Sequence, residues 1–147
     1  MAPVISTLLN KNHELRVIYK ELPIFGPSSE MASKAALAAA MQGKYQAMHN
    51  ILIYQKVRLN ETIIYQAAKQ VGLNMVKFKV DMNSSTVNKE LEATRKLAEA
   101  LHLMGTPALI IAATPHGVFQ ENNQSFFIPG AASLETLQAM IAKTTTI

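Results

Sequence analysis

The 147-residue sequence contains no cysteine. Without thiols the chain forms no disulfide and no thiolate metal site, so burial of apolar side chains has to hold its fold together. The composition permits this, because 49% of the residues are hydrophobic and the mean hydropathy is +0.11. A chain of this length is typical of one domain with a sizeable core. The sequence does not indicate whether the protein works in an oxidising or a reducing compartment, because cysteine is the residue whose usage would indicate it.

The charge pattern argues against a nucleic-acid partner. Lys and Arg number 14 against 10 for Asp and Glu, which gives a net charge of +4, and the basic residues are scattered along the chain. Nucleic-acid binders concentrate such residues on one face, and single-strand binders add aromatic platforms. Only 6% of this chain is aromatic and none of it is Trp. We therefore expect no nucleic-acid partner.

Targeting and membrane signals are also absent from the sequence. Met1-Ala2-Pro3 lacks the basic start and the long apolar stretch of a signal peptide. The apolar runs Ala35–Met41 and Ala108–Ala113 are far shorter than the about 20 residues that span a bilayer. The sequence therefore predicts a soluble domain and no membrane-spanning segment.

Apolar spacing predicts an α/β chain with a block of helices in its middle. Spacings of three and four residues indicate helices, and alternation or a short apolar run indicates strands. The chain begins with a predicted helix in Met1–Asn12 and a predicted strand at Leu15–Lys20. The middle block of predicted helices comprises one that is capped by Ser28 or Ser29 and continues past Gly43 to Leu52, one from Asn60-Glu61 to Gly72, a helical piece at Met75–Met82, and one capped by Ser84 or Ser85. The last part contains a buried strand at Ala108–Ala113, a returning antiparallel strand at Val118–Gln120 or slightly beyond, and a final helix capped by Ser133.

Motifs for bound cofactors and for hydrolysis are missing. The 6 glycines never form a phosphate-binding loop, and no serine lies in a Gly-X-Ser-X-Gly elbow. The four histidines show no spacing of four residues that would pair two of them on a helix. They are interpreted as structural or surface residues (His13, His49, His102 and His116). We expect neither a cofactor nor a metal.

Glu21 is a candidate proton relay, because it follows a predicted strand and precedes a turn. A solvated or salt-bridged carboxylate at the end of a strand is the more common explanation of such a residue, and the sequence favours it.

The segment Gly105-Thr106-Pro107 leads directly into the apolar strand Ala108–Ala113. Proline before a central strand is unusual, because it donates no hydrogen bond to a neighbouring strand. An X-Pro bond is also the one peptide bond that adopts the cis form at low cost. A cis Thr106-Pro107 bond in a loop that faces substrate and a trans proline at the first position of the strand are both consistent with the sequence.

Several segments together resemble the DsbA-like thioredoxin-fold proteins, and more narrowly the branch known as the 27 kDa outer-membrane protein. Gly105–Ala108 is similar to the cis-proline loop of that family, and the resemblance covers essentially the whole chain. The other segments that carry it are Tyr19–Gly26, Ala35–Ala39, Gln42–Tyr45 with His49, and Phe127–Ala131 followed by Leu134.

The resemblance implies a thioredoxin-like α/β fold in a single domain. Residues 1–27 and 104–147 would form the thioredoxin core, and residues 28–103 a helical insertion. The implied function is thiol–disulfide oxidoreduction, that is, protein disulfide formation or isomerisation in the periplasm or cell envelope. Family members bind extended or unfolded protein substrates, with Thr106 and Pro107 at the position that contacts them. Outer-membrane association is also implied by the branch alone.

The family's Cys-X-X-Cys motif and the strand before it have no counterpart in these residues. We therefore expect a truncated domain that is inactive as given and lacks a central strand between Leu15–Lys20 and Ala108–Ala113. Two unpaired strand edges favour rearrangement, strand addition from a partner, or a homodimer formed by strand pairing or swapping. A cysteine-free peptide-binding, chaperone-like or dimerisation module is the alternative function.

Overall fold

The computed structural model describes residues 1–119 and 124–145. Within these residues the chain forms seven α-helices, two β-strands and a short 3-10 turn at Pro115–Gly117. The helices are α1 (Ala2–Lys11), α2 (Pro27–Ala40), α3 (Tyr45–Ile53), α4 (Glu61–Gln70), α5 (Met75–Met82), α6 (Ser85–Ala100) and α7 (Leu134–Thr145), and the strands are β1 (Leu109–Ala112) and β2 (Ser125–Ile128).

The chain divides into two compact units. Residues 19–101 form the helical unit, which contains α2 to α6. Residues 1–18 and 102–147 form the sheet unit, which contains α1, β1, β2 and α7. The first boundary lies earlier in the chain than the predicted end of the thioredoxin core at residue 27.

Side-chain caps begin three of the helices where the sequence predicts them. Asn60 accepts a hydrogen bond from the Ile63 N–H at the start of α4. Ser84 accepts one from the Val87 N–H before α6, which decides between the two predicted serines. Each cap satisfies an amide at the helix start that has no partner within the helix. Ser133 does the same for α7 through the Thr136 N–H.

The single helix predicted to run from Ser28 or Ser29 to Leu52 is wrong. The structure divides it into α2 and α3, with Gly43 at φ +69° between them. Only glycine adopts such a φ without strain, so the helix ends instead of continuing with a kink. Neither serine caps α2, which begins at Pro27 after Gly26 and has no side-chain cap.

The helical unit contains the main hydrophobic core. Phe78, Met48 and Ile64 are completely buried, and they meet the small side chains of α2. Alanines at α2 positions let neighbouring helices approach closely, so the core is filled mainly by side chains from the other helices. The remaining members of this cluster are Ala35, Ala38, Ala39, Leu52, Ala67, Ala68, Leu73 and Met82.

The sheet unit is built on a two-stranded antiparallel sheet. β1 pairs with β2 in a register that places Leu109 opposite Ile128 and Ala112 opposite Ser125. Helix α7 packs on β1, and α1 packs on α7. Among the described residues of this unit, Leu8 and Leu137 are the only buried apolar side chains.

The strand predicted at Leu15–Lys20 is not formed. The alternation is still visible in burial, because Leu15, Val17 and Tyr19 are half-buried while the residues between them are exposed. A strand also needs a neighbour for its hydrogen bonds. None of the described strands lies beside this segment, and its Arg16 guanidinium donates instead to the carbonyl oxygen of Gly117 at 3.0 Å.

The returning strand predicted at Val118–Gln120, or slightly beyond, is not formed by the residues of that range that the structure describes. Val118 and Phe119 belong to no strand, and Gln120 lies outside the described residues. The chain changes direction just before them, where His116 and Gly117 both have positive φ values of 55° and 80°. The returning strand is β2, which belongs to the segment that the family resemblance places before the final helix.

Within the described residues, no helix is both long enough and apolar enough to cross a membrane.

Candidate functional site

The two site predictions fall in different units. Glu21 lies in the helical unit, and Thr106 with Pro107 lies in the sheet unit. Each site is therefore described within its own unit.

Glu21 is the centre of a polar cluster that joins its segment to α2 and α3. Its Oε1 accepts hydrogen bonds from the Tyr45 hydroxyl at 2.5 Å and from His49 Nδ1 at 2.9 Å. Its Oε2 accepts one from the Ser33 hydroxyl at 3.1 Å. The side chains of Glu21 and His49 are only 14% and 19% exposed. The carboxylate thus fixes an irregular segment to two helices.

Aromatic packing covers this cluster on one side. The Tyr19 ring lies 5.4 Å from the Tyr45 ring and 5.2 Å from the His49 ring, centroid to centroid. The Tyr45 and His49 rings stack with centroids 5.3 Å apart. Ring contacts at these distances stabilise the arrangement and keep water from much of the carboxylate. We call Tyr19, Glu21, Ser33, Tyr45 and His49 the Glu21 cluster.

The electrostatics of the Glu21 cluster keep the carboxyl group ionised. Burial by itself would raise the pKa of Glu21, but hydrogen bonds from His49, Tyr45 and Ser33 and the charge of His49 together hold that pKa below its ordinary value. Burial, and after it the hydrogen bond to Glu21, raise the pKa of the Tyr45 hydroxyl. A relay needs a pKa near the working pH. The environment of Glu21 favours an anchoring role, and its role in proton transfer stays a prediction.

The partners of Glu21 were not identified as site residues from the sequence. Tyr45 and His49 are four residues apart on α3 and so share one helix face, which was the available signal. Ser33 is on α2, and nothing in its spacing points to Glu21. Their meeting depends on how α2 and α3 pack, which is a property of the tertiary structure.

Thr106 and Pro107 are exposed and lie immediately before β1. The peptide bond between them is cis. Thr106 has no hydrogen-bond partner among the described residues. Its backbone N–H and C=O are therefore open to water or to a ligand, at the point where the chain enters the strand.

The described residues contain no group of three His, Asp or Glu side chains that could hold a metal ion. His13, His102 and His116 are exposed, and the last two have positive φ values. His49 belongs to the Glu21 cluster. No two of these four histidines contact each other in the structure.

Comparison with protein families identifies the class of this domain. Residues 1–142 match the DSBA-like thioredoxin domain family. The chain belongs to this family of DsbA-like thiol–disulfide oxidoreductases. It has a thioredoxin-like DsbA fold that is mostly helical, with a small two-stranded sheet.

Solved structures with the same fold include two bacterial proteins. A thioredoxin-like oxidoreductase from Silicibacter pomeroyi is 29% identical, with a TM-score of 0.83 over 99% of this chain and 78% of that protein. A periplasmic thioredoxin-like protein from Salmonella enterica serovar Typhimurium is 23% identical, with a TM-score of 0.76 over 97% of this chain and 74% of that protein. The second likeness concerns the fold alone.

Curated relatives are longer proteins. The Na(+)/H(+) antiporter NhaA 3 of Salinispora tropica is 24% identical over 78% of this chain, and the ClpXP adapter protein SpxH of Bacillus subtilis is 23% identical over 78% of it. The matched region spans 18% of the first relative and 39% of the second. Domains similar to this one are thus parts of larger chains.

The sequence lacks the residues that carry out the chemistry of its family. Thiol–disulfide exchange needs a thiolate that attacks a disulfide sulfur. These residues contain no cysteine and therefore no Cys-X-X-Cys. No side chain present can take over the attack, so this sequence retains the family's fold without its reacting atoms.

Proposed function

We propose that this domain binds extended protein segments at Thr106 and Pro107, within a thiol–disulfide oxidoreductase system of the bacterial cell envelope. Protein disulfide formation or isomerisation is the process it would serve, and the 147 residues themselves carry out no thiol chemistry. Membership of the 27 kDa outer-membrane-protein branch, with its membrane association, belongs to the same proposal.

The exposed loop before β1 is the observation that carries the proposal. Among the described residues, no partner binds the backbone N–H and C=O of Thr106, and the strand β1 begins at Leu109, three residues further along the chain. An extended peptide can pair alongside such exposed backbone groups through main-chain hydrogen bonds, which select a conformation and not a sequence. The absence of cysteine separates this binding from catalysis.

One protein of the same fold supports the location in the envelope. The Salmonella relative is described as periplasmic, and disulfide chemistry is characteristic of oxidising compartments. We expect the domain to work beside proteins that do contain reactive thiols.

A binding measurement tests the proposal. The probe is a reduced and carboxymethylated protein, which stays unfolded and has no free thiol. Thr106→Trp places a large side chain in the loop, and we expect it to weaken binding by about tenfold, which is about 1.4 kcal/mol. Thr114→Trp is the matched control, because Thr114-Pro115 is a second exposed Thr-Pro pair in the same unit.

The outcomes separate the two functions. Binding that is lost in Thr106→Trp and kept in Thr114→Trp supports the proposal, and equal losses or no binding contradict it. An insulin-reduction assay on the 147 residues should show no acceleration over buffer with dithiothreitol. Suppressed aggregation of many unfolded proteins, without any coupling to a thiol partner, would favour the cysteine-free chaperone-like alternative.

A further inference from the structure

The start of α2 and the connection between α3 and α4 line a cavity of about 340 Å³ that opens to solvent. Its apolar lining comes from Pro27, Met31 and Leu59. Met31 and Leu59 also pack against the core of the helical unit, so the fold itself holds this lining in place. The volume lies near the lower end of the about 300–1,000 Å³ that is typical of ligand pockets. The cavity therefore has room for an apolar side chain of a ligand.

Exposed apolar side chains belong to both chain segments that line this cavity. Phe25, which precedes Pro27 by two residues, is 80% exposed. Tyr54 and Val57, in the connection that leads to Leu59, are 60% and 59% exposed. Exposed apolar side chains flanked by polar groups are typical of surfaces that bind other molecules. We call the cavity and the connection at residues 54–60, together with Phe25, the α2–α4 surface.

Two basic side chains of the α2–α4 surface have no partner. Lys56 and Arg58 are exposed, and among the residues that the structure describes they make no ion pair and no hydrogen bond. Arg58 also lines the cavity. Free cations beside apolar side chains are complementary to a ligand that carries carboxylates next to apolar groups.

The carboxylates nearby already have partners. Glu61 lines the cavity, and its Oε1 accepts a hydrogen bond from the Tyr65 hydroxyl at 2.6 Å. Glu30, in the first turn of α2, pairs with Lys34 at 3.0 Å and with Arg95 at 3.2 Å. The lining of the cavity thus presents a guanidinium and a carboxylate, of which the guanidinium alone is free to bind an opposite charge.

We propose that the α2–α4 surface binds a segment of another protein in which an apolar side chain stands next to Asp or Glu. The apolar side chain enters the cavity against Met31 and Leu59, and the neighbouring carboxylate pairs with the Arg58 guanidinium. A guanidinium can bind both oxygens of a carboxylate at once, which makes such a contact specific in geometry. Lys56 offers a second carboxylate of the segment a weaker, more mobile contact.

The shape and the charge of the α2–α4 surface favour a protein segment over a lipid bilayer. A cavity is filled by a side chain that reaches inward, and a bilayer surface presents none. Attachment to anionic lipids through charge commonly uses clusters of about 4–8 basic residues. This surface offers Lys56 and Arg58. The surface belongs to the helical unit, and the proposal does not depend on peptide binding at Thr106.

Three labelled peptides test the predicted charge preference. They share a central Leu-Phe pair and differ in the residues on both sides of it, which are Glu in the first peptide, Gln in the second and Lys in the third. Fluorescence anisotropy with the full chain should give a dissociation constant for the Glu peptide at least about tenfold lower than for the Gln peptide, and the Lys peptide should bind most weakly. Equal affinities, or no binding of the Glu peptide through the low millimolar range, would overturn the proposal.

Charge reversal tests the role of Arg58. Arg58→Glu should raise the dissociation constant of the Glu peptide about tenfold and shift the preference toward the Lys peptide. Lys89→Glu is the matched control, because Lys89 is an exposed cation of α6 without a partner among the described residues. Equal losses in both variants would mean that only the net charge of the chain attracts the peptide, which contradicts a site at Arg58.

Ser28→Trp tests the cavity itself. Ser28 lines the cavity from the second position of α2, and an indole there should fill the space and weaken binding of the Glu peptide about tenfold. Thr86→Trp, at the second position of α6, and Thr106→Trp in the other unit should leave this binding unchanged. Circular dichroism verifies that each variant folds. Full binding by Ser28→Trp would place the peptide elsewhere and overturn the proposal.

Vesicle binding provides the contrasting outcome. The probe is a vesicle of phosphatidylglycerol and phosphatidylcholine, and we expect the chain not to sediment with it at physiological salt. Sedimentation that Arg58→Glu abolishes, in a chain that binds none of the three peptides, would assign the α2–α4 surface to a membrane and overturn the protein segment as its ligand.

Discussion

The helical unit and the sheet unit differ in how many apolar side chains they bury. In the helical unit, side chains such as Phe78 and Ile64 are completely buried among five helices. In the described part of the sheet unit, Leu8 and Leu137 alone provide the buried apolar side chains, and β1 keeps an open edge. The two units therefore differ in how many large apolar side chains their described residues remove from water. The completed core is the one assembled from contacts between helices near in sequence.

Core truncation should give the largest difference between the units. Phe78→Ala removes a completely buried ring from the helical unit, and we expect its free energy of unfolding to fall by about 3–5 kcal/mol. Leu137→Ala in the sheet unit should cost about 2 kcal/mol, because a thinner core relaxes more easily around the cavity. Urea unfolding monitored by circular dichroism measures both values. A larger loss in Leu137→Ala than in Phe78→Ala would reverse the comparison.

Hydrogen exchange should show the next difference. The amides of β1 should exchange at least about tenfold faster than those in the middle of α4, because fewer buried contacts oppose local opening. Mass spectrometry of peptides that cover residues 61–70 and 109–112 measures this. Equal protection of both segments would mean that the two units open together as one.

The Glu21 cluster should contribute less than the Phe78 ring, and its contribution should depend on pH. Glu21→Gln removes the charge that three donors share, and we expect a loss of about 1–3 kcal/mol at pH 7. Since the folded state lowers the pKa of Glu21, its contribution is complete above the ordinary value of 4.5 and is lost as the pH falls through the lower folded value. As the pH falls below 4.5, the free energy of unfolding should therefore decrease less in the variant than in the wild type.

Glu90→Gln is the control for the Glu21 substitution. Glu90 accepts a hydrogen bond from Lys20 at 2.9 Å, but both side chains are 46% exposed. An exposed ion pair contributes less than about 1 kcal/mol. If both substitutions cost the same, or if Glu21→Gln leaves the acid limb of the stability curve unchanged, the anchoring role of Glu21 is wrong.

Local signals in the sequence identified most of the helices. Asn60, Ser84 and Ser133 cap the helices that they were expected to cap, and Met75–Met82 forms a helix with the predicted bounds. Caps and apolar periodicity act within a few residues, so they can be seen in the sequence alone.

Strand assignments depended on more than local pattern. Leu15–Lys20 alternates as a strand would, and every second residue is half-buried, but no strand among the described residues bonds with it. Ala108–Ala113 was correctly expected to contain a strand, which is β1. Both segments have suitable side chains, and only the second has a partner, β2, in the structure.

The sequence by itself determined the start of each capped helix, the apolar composition of β1 and the absence of thiol chemistry. Each of these depends on residue identity and on contacts a few positions apart. The tertiary structure alone decided the meeting of Glu21 with Ser33, Tyr45 and His49, the division of the chain into two units, and the pairing of β1 with β2. These features join groups 12 or more residues apart in sequence, as the Glu21–Ser33 hydrogen bond does, and packing selects such contacts.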